Sequence, residues 1–485
     1  MSATQPPRTT VFLTGGSGNW GRATLREFRG RDVDVIALVL PTERDRAVIA
    51  EFDDMTNLEV VFGDLTDYDA VEACVRRADF VLHVGAVVSP LADAQPELAH
   101  RVNIGSMRNI IRAVAAQPDP ARIGVVGIGS VAETGDRPAP YHWGRIGDPI
   151  RVSQFDEYGQ TKVIAERMLV DSGLPEWAWL RQTGIFHPGL LAGDNDPIVF
   201  HTPLAGVLEW VSVEDSARLL ANICEPEVPA EFWGGIHNIG GGEGWRISNW
   251  EFQERLFRAM GVADPRGWYE RNWFATQNFH GQWYTDSDHL EALVPFRRDS
   301  FDEAAARAVA GLPDSARKAG KVPAWIIRNF VMKPLSRKPR GTMHAIRSGN
   351  TAEINAHFGS LEAWKAIGTW STFTTPRLSH EAVLLDHGYD ESKDAAEWSA
   401  SDYEGVAAFR GGRLVTAQPV VGDIATPLEW ECAEGHAFSG SPRLILTGGH
   451  WCPECVKRSA AYGEQAARNT FLAQLEKPVA VPAGV

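Results

Sequence analysis

Two groups of residues have types and spacings that could do chemistry. The first is Tyr158 and Lys162, in Tyr158-Gly159-Gln160-Thr161-Lys162. A separation of four places phenol and ammonium on one face of a helix. A cation there stabilises phenolate, so the tyrosine could give or take a proton at a carbonyl or alcohol oxygen. The second is Cys432-Ala433-Glu434-Gly435-His436 followed by Cys452-Pro453-Glu454-Cys455, or C-x3-H-x15-C-x2-C. Two close pairs of thiolate and imidazole ligands suit tetrahedral zinc. Gly435, Gly448 and Gly449 supply turns, and Trp430, Phe438 and Trp451 supply a small core that a metal can complete. Cys432, His436, Cys452 and Cys455 leave no open coordination position, so the expected ion is structural. The chain has 5 cysteines. An odd, sparse set with Cys74 and Cys224 far from the rest does not read as a disulfide framework.

A third motif could hold a phosphate. After the β-branched and aromatic run Val11-Phe12-Leu13 comes Thr14-Gly15-Gly16-Ser17-Gly18-Asn19-Trp20-Gly21, then the helical run Arg22 to Phe28. Glycines at a strand-to-helix turn let the backbone approach a pyrophosphate, which then faces free amides and the positive end of the helix. The next strand ends Leu38-Val39-Leu40-Pro41-Thr42, with Glu43, Arg44 and Arg46 following. Acid and base both stand late, so NAD and NADP are left open.

These motifs resemble the extended short-chain dehydrogenase/reductase superfamily, the NAD-dependent epimerase/dehydratase-like group, over about Thr10 to Ser300. Gly15, Gly18 and Gly21 match its TGxxGxxG, with Asn19 and Trp20 inside the loop. Asp64 and Leu65 match the Gly-Asp after its third strand. His83, Gly85 and Ala86 resemble its His-x-Ala-Ala, with Gly85 replacing alanine. Asn103 matches its central-helix Asn, and Ser130 stands 28 residues before Tyr158, where the family keeps a catalytic Ser or Thr. His187-Pro188-Gly189 resembles the Gly-Pro-Gly beside the nicotinamide, His187 being read as a pocket wall before a proton carrier. Val211 to Ala217 and His237 to Gly241 resemble later family segments.

The resemblance implies Tyr158 as general acid/base, Lys162 lowering its pKa and holding the nicotinamide ribose, and Ser130 bonding the substrate oxygen. It implies NAD or NADP as cofactor and a homo-oligomer, dimers being common. Val131 and Ala132 after Ser130 lack the Asp-Glu pair of sugar-nucleotide dehydratases. Most of the tryptophans are read as core, while a Trp-rich lobe including Trp143, Trp210, Trp233, Trp245 and Trp283 suits an apolar, cyclic or aromatic carbonyl or alcohol better than a sugar diphosphate. The expectation is therefore an NAD(P)-dependent oxidoreductase acting on a small carbonyl or alcohol. An epimerase is the alternative, and a dinucleotide-binding sensor without turnover the third reading.

Positioning such residues calls for an α/β domain. Strands are expected at Val11–Leu13, Val33–Leu40, Leu58–Phe62, Phe80–His83, Ile123–Ile128 and Trp177–Leu180, with helices from about Gly21, Asp69, Asn103 and Glu157. This predicts a Rossmann-type doubly wound parallel sheet (core about 8–230) with a small substrate lobe (about 231–312) in a first domain of 1–312. A basic solvated linker follows at 313–342, carrying Arg317, Lys318, Lys321, Arg328, Lys333, Arg337, Lys338 and Arg340. Then comes a domain of 343–485 holding a zinc-ribbon-like module at about 425–460. The chain of 485 residues carries a net charge of -15, which repels phosphate backbones and anionic lipid, so neither nucleic acid nor membrane is expected as partner. No signal peptide or apolar span is read, and a cytoplasmic location is expected. Acids between Leu384 and Cys432 favour protein docking or oligomerisation for the tail.

Overall fold

The computed structural model describes residues 8–190, 196–312 and 319–476. Seven strands form one sheet: β1 (Thr9–Thr14), β2 (Val33–Val39), β3 (Leu58–Phe62), β4 (Phe80–His83), β5 (Gly124–Ser130), β6 (Trp177–Gln182) and β7 (Gly235–Ile239). Their order is β7-β6-β5-β4-β1-β2-β3, and every pairing is parallel. The six strands expected from sequence are present. The seventh corrects the core boundary at about 230, because β7 pairs with β6 from Gly235↔Ala178 to Ile239↔Gln182. Its run Gly-Ile-His-Asn-Ile is short and mixed in polarity, so hydrophobic pattern alone does not mark it.

Alternation along the strands sends successive side chains to opposite faces. Val11 and Leu13 join a cluster with helices α1 (Asn19–Phe28) and α5 (Val213–Ile223). Phe12 joins the opposite cluster with α2 (Tyr68–Val75), α3 (Gly105–Ala115) and α4 (Glu157–Val170). This is the doubly wound Rossmann-type fold. Chain order reverses between β1 and β4, which opens a crevice at the carboxyl ends of the strands, where such sheets bind ligands.

The basic segment is not a solvated linker in its described part. Ile327 and Leu335 are buried in a cluster with Trp250, Phe257, Trp268 and Trp273, and Arg340 pairs with Asp93 at 3.2 Å. Two short helices (Ala324–Ile327 and Lys333–Ser336) pin it down, with apolar residues eight apart, a spacing the density of cations concealed. Arg317 and Lys318 lie outside the described residues. Residues just beyond 342 also pack on the substrate lobe, where Trp364 and Trp370 donate to the carbonyls of Asn272 and Tyr269 at 2.9 and 2.8 Å. The boundary drawn at 343 is thus crossed by contacts on both sides. A separate cluster around Tyr403, Trp430, Phe438, Cys432 and Cys452 forms the core of the C-terminal module. Its sheet is antiparallel: β8 (Arg413–Leu414), β9 (Leu428–Glu431) and β10 (Ala437–Gly440). Among the described residues no helix is long and apolar enough to cross a membrane.

Candidate functional site

The glycine loop lies at the sheet's reversal point. Gly15 has φ +71°, and a Cβ there would stand 2.7 Å from the Gly85 Cα. At Gly21 a Cβ would stand 2.1 Å from the Gly15 carbonyl oxygen. The turn closes through Gly18 N–H to the Gly15 carbonyl at 2.9 Å, and α1 then begins at Asn19 with its free amides facing the crevice. The substitution of glycine for alanine at position 85 has a local cause: a Cβ would meet Leu65 Cδ1 at 2.8 Å and the Gly15 nitrogen at 3.1 Å. Trp20 is part of the core under the loop, and Ala86 is half-buried beside it.

His83 and Asn103, read as cofactor contacts, are fully engaged by protein. The Thr14 hydroxyl accepts from Gly85 N–H at 2.9 Å and lies 2.9 Å from His83 Nδ1. His83 Nε2 lies 3.0 Å from Ser106 Oγ. Burial, with the Lys162 cation adding to it, pushes this imidazole down to about 3 and keeps it neutral. Asn103 lies in a π-helical turn, His100–Ile104. It clamps both backbone groups of Val87 at 2.7 and 2.9 Å and donates to Thr161 Oγ1 at 2.9 Å. Both residues brace the crevice wall and the catalytic helix. Asp64 is exposed beyond β3, its Oδ1 accepting from Thr66 N–H and O–H at 2.8 and 2.9 Å.

Ser130, Tyr158 and Lys162 converge as their spacing requires. Asp156 caps α4 by accepting from Gly159 N–H at 2.8 Å, which starts the helix so that Tyr158 and Lys162 share a face. Ser130 ends β5 and caps the turn Val131–Glu133 in a capping box with Glu133. Lys162 is buried, donates to the Ile128 carbonyl at 2.7 Å and lies 5.6 Å from the Tyr158 ring centre. Burial pushes its pKa down to about 8, against a smaller upward pull from Glu133. Tyr158 departs from the expectation of a lowered pKa. Burial first, then the neighbouring Glu133 and Asp156, push the phenol above its ordinary range, while a hydrogen bond with Ser130 opposes them. The phenol is held as an acid.

The crevice fits a dinucleotide. Besides the glycine cradle, two buried polar atoms lack a protein partner, Gln182 Oε1 at the end of β6 and His187 Nδ1 beyond it. A Cβ on Gly189 would stand 2.9 Å from the His187 ring and 3.8 Å from the Asn19 amide nitrogen, and burial lowers the His187 pKa. This favours a neutral ring forming a wall. The strand end after β2 is apolar, with Leu40 exposed. Arg46 instead stacks over Phe62, its guanidinium 3.7 Å from the ring centre.

The tryptophans do not line a substrate pocket. Trp245 and Trp283 are 2% exposed and Trp143 6%. Trp143 and Trp283 pack edge to face at 5.4 Å, and the Trp245 indole donates to the Asp299 carbonyl. Trp210 stacks on Phe252 at 4.5 Å. Trp233 packs on Phe80 at the start of β4, the sheet end opposite the glycine loop. Large rings in a loop-rich lobe supply its core, as expected for most of them, and this removes the support that a Trp-rich lobe gave to an apolar substrate. A cleft of 540 Å³ instead opens near the start of α4, with Asp136, Arg151, Gln154, Asn278 and Glu476 among its walls. It is polar, and the C-terminal helix Thr470–Glu476 contributes one side.

Cys432, His436, Cys452 and Cys455 come together as their spacing predicts. The first pair sits at the tip of the β9–β10 hairpin, where Gly435 takes φ +79°. The second flanks a single helical turn, Pro453–Val456, and the four ligand atoms lie within 4.8 Å of one another. His436 Nδ1 is 3.5 Å from each of the three sulfurs, and the Cys432 and Cys455 sulfurs are 3.7 Å apart. A tetrahedron with Zn–S of about 2.3 Å and Zn–N of about 2.0 Å has edges of about 3.8 and 3.5 Å, so the donor set fits a zinc ion. Cys74 and Cys224 are buried elsewhere, and burial pushes the Cys74 thiol up to about 11.

Sequence reading missed Glu133, Glu166, Arg181 and His450, all buried beneath Tyr158 and Lys162. The Ser130-x-x-Glu133 capping pattern was the available signal. The Glu166–Arg181 pair left none.

Residues 11–174 match the family described as NAD dependent epimerase/dehydratase. The chain is 25% identical over 198 residues to 3 beta-hydroxysteroid dehydrogenase type 7 of Mus musculus, covering 38% of this chain and 52% of that protein. It is 25% identical over 109 residues to UDP-glucose 4-epimerase of Rickettsia bellii, covering 21% of this chain and 32% of that protein. The chain thus spans about half the length of the mouse relative and less of the bacterial one. Among solved structures, dTDP-glucose 4,6-dehydratase of Bacillus anthracis in complex with NAD superposes with TM-score 0.50 at 14% identity. That superposition covers 67% of this chain and 99% of the other, a likeness of fold.

Proposed function

We propose that this chain transfers a hydride between a nicotinamide dinucleotide and a carbonyl or alcohol of a small molecule, as a short-chain dehydrogenase/reductase. The carrying observation is a half-buried Tyr158 and a buried Lys162 on one helix face beside Ser130, at the same carboxyl end of the sheet as the glycine cradle. NAD is the favoured cofactor, since the description of the matched family names it and the Bacillus anthracis fold neighbour is in complex with it. It would lie along Gly15, Gly18 and Gly21, with its nicotinamide toward Thr183 and His187, where it supplies or accepts the hydride. Tyr158, held protonated, donates its proton to the substrate oxygen as that oxygen gains charge. Ser130 hydrogen-bonds the same oxygen. The Lys162 cation holds the ribose hydroxyls and stabilises the phenolate left behind.

With Trp143, Trp245 and Trp283 in the core, the preference for apolar ring compounds loses its support. An epimerase is the second reading, in which the ketone intermediate is turned over before the hydride returns. The Cys/His module binds structural zinc in a ribbon-like site. A cytoplasmic homo-oligomer completes the reading.

The test follows nicotinamide absorbance with NADH or NADPH across cyclic ketones, hydroxylated ketones and nucleotide sugars, with Tyr158→Phe as control. Consumption lost in the variant is the expected result. Binding of cofactor with no consumption, but with sugar isomers interconverted, would move the chain to the epimerase reading.

A further inference from the structure

Behind the Ser130–Tyr158–Lys162 face lies a buried set of ionisable side chains that hydride transfer does not itself use. Glu133, Glu166, Arg181 and His450 are all buried. Arg181 grips Glu166 through Nε at 3.0 Å and Nη2 at 2.6 Å, and its Nη2 also donates to the Gly448 carbonyl at 2.7 Å. His450 Nε2 donates to Glu166 Oε1 at 2.9 Å. Glu133 accepts from Ser130 N–H at 2.8 Å with one oxygen and lies 3.3 Å from Arg181 Nε with the other. Glu166 is on α4, one helical turn past Lys162, and Glu133 holds the backbone of Ser130. Of these five residues two, Gly448 and His450, come from the C-terminal module.

More contacts run the same way. Arg167 of α4 donates to the carbonyls of Trp451 and Ser439 at 3.1 and 2.8 Å, and Gln160 donates to that of Val456 at 3.0 Å. A Cβ on Gly449 would stand 2.0 Å from the Asp148 carbonyl oxygen. Leu444 completes the apolar cluster over α4 and β6. The module is seated on the catalytic helix along its length, and its loop reaches through to the charges under the active site. A buried carboxylate and guanidinium depend on the donors and acceptors that face them, and Arg181 Nη1 and Glu133 Oε2 already lack hydrogen-bond partners, so the cluster has none to spare. Removing the loop would strip Glu166 of a donor and Arg181 of an acceptor in a place water does not reach.

We propose that the C-terminal Cys/His module is a positioning clamp: its Gly448–Trp451 loop closes the buried Glu133–Arg181–Glu166 cluster and so fixes Ser130 and the Tyr158–Lys162 face. The consequence for turnover rests on the hydride-transfer reading above; the clamp itself does not. His450 and Glu133 are positioning residues, acting through Glu166 and Ser130.

Hydrogen exchange on the full-length, zinc-loaded protein tests this without a known substrate. His450→Leu, which removes the donor but no metal ligand, should keep its zinc and raise exchange about tenfold in segments 128–136 and 157–170, leaving 9–28 unchanged. His450→Gln, which retains a donor toward Glu166, should restore most of the protection. In a nicotinamide assay His450→Leu should lower kcat about tenfold at near-constant KM, and His450→Gln should recover it. Wild-type exchange in both segments with zinc retained overturns the clamp. Should His450→Leu lose its metal, Glu133→Leu decides. Coupling is reciprocal, so segment 432–456 must then gain exchange together with 157–170, and unchanged exchange there overturns the proposal. Wild-type turnover in Tyr158→Phe would remove the hydride-transfer reading and leave the exchange result standing.

Discussion

The glycine loop and the Cys/His cluster are both short-spacing motifs, yet they hold their shape by different means. The loop is rigid because a seven-stranded sheet with two large apolar faces holds β1 and β4 side by side. Its glycines are needed only where backbone approaches backbone, as at Gly15 and Gly21. The cluster has three short strands and a small core around Trp430 and Phe438. Four ligands must bring that core together. A motif that sits on a large sheet can lose its ligand and keep its fold, whereas one that is its own scaffold depends on the ligand.

Four experiments press on that contrast, ordered by their expected effect on turnover. Gly21→Ala places a Cβ against the Gly15 carbonyl. It should weaken dinucleotide binding, read by NADH fluorescence, by tenfold or more, roughly the loss of one well-made backbone approach, with zinc content unchanged. Retained affinity would mean that the loop is not the phosphate cradle. Chelation should abolish the structure of segment 428–456 while β1 to β6 remain folded, giving two thermal transitions where the loaded protein gives one. Turnover should decay with the melting of the module. Instant loss with the module intact would point to a metal taking part in the chemistry.

The third experiment is a pH profile. Burial lowers the Lys162 pKa to about 8, so its cation is present below that value and lost above it. Turnover should fall as pH rises through about 8, and Lys162→Arg, always charged, should remove that limb. The stability effect has the opposite sign. Since the folded state binds this proton more weakly than the unfolded chain, the penalty is full below pH 8 and is relieved as pH rises from there toward the ordinary lysine value. The smallest effect on turnover belongs to Trp283→Ala, which should cost about 3–5 kcal/mol of stability by denaturant unfolding and leave KM unchanged. A large change in KM would return that ring to the substrate pocket.

What was legible in the sequence tracks how local the cause is. Strands β1 to β6, the glycine turn, the Tyr158–Lys162 face and the four Cys/His ligands are each set by residues near one another in sequence or by fixed ligand spacing. β7 escaped because its identity comes from pairing with β6. The basic linker was misread because two buried apolar residues, Ile327 and Leu335, outweigh many exposed cations. The tryptophans pointed to a core more than to a pocket but could not identify a substrate, because a large ring serves either and only the surroundings decide. His450 and Glu166 are 284 residues apart, and no spacing rule joins them. The raised Tyr158 pKa likewise depends on burial and on Glu133, neither of which is visible in the Tyr-x-x-x-Lys pattern.

The most direct test of hydride transfer at Tyr158 is to supply nicotinamide cofactor deuterated at the transferable position and to follow the label into product. The expected result is deuterium at the former carbonyl carbon, one oxidised cofactor per product, and a loss of about 10²- to 10⁴-fold in Tyr158→Phe. Cofactor bound in the glycine cradle, with no label reaching any ketone, aldehyde or sugar offered and no difference between wild type and Tyr158→Phe, would contradict it.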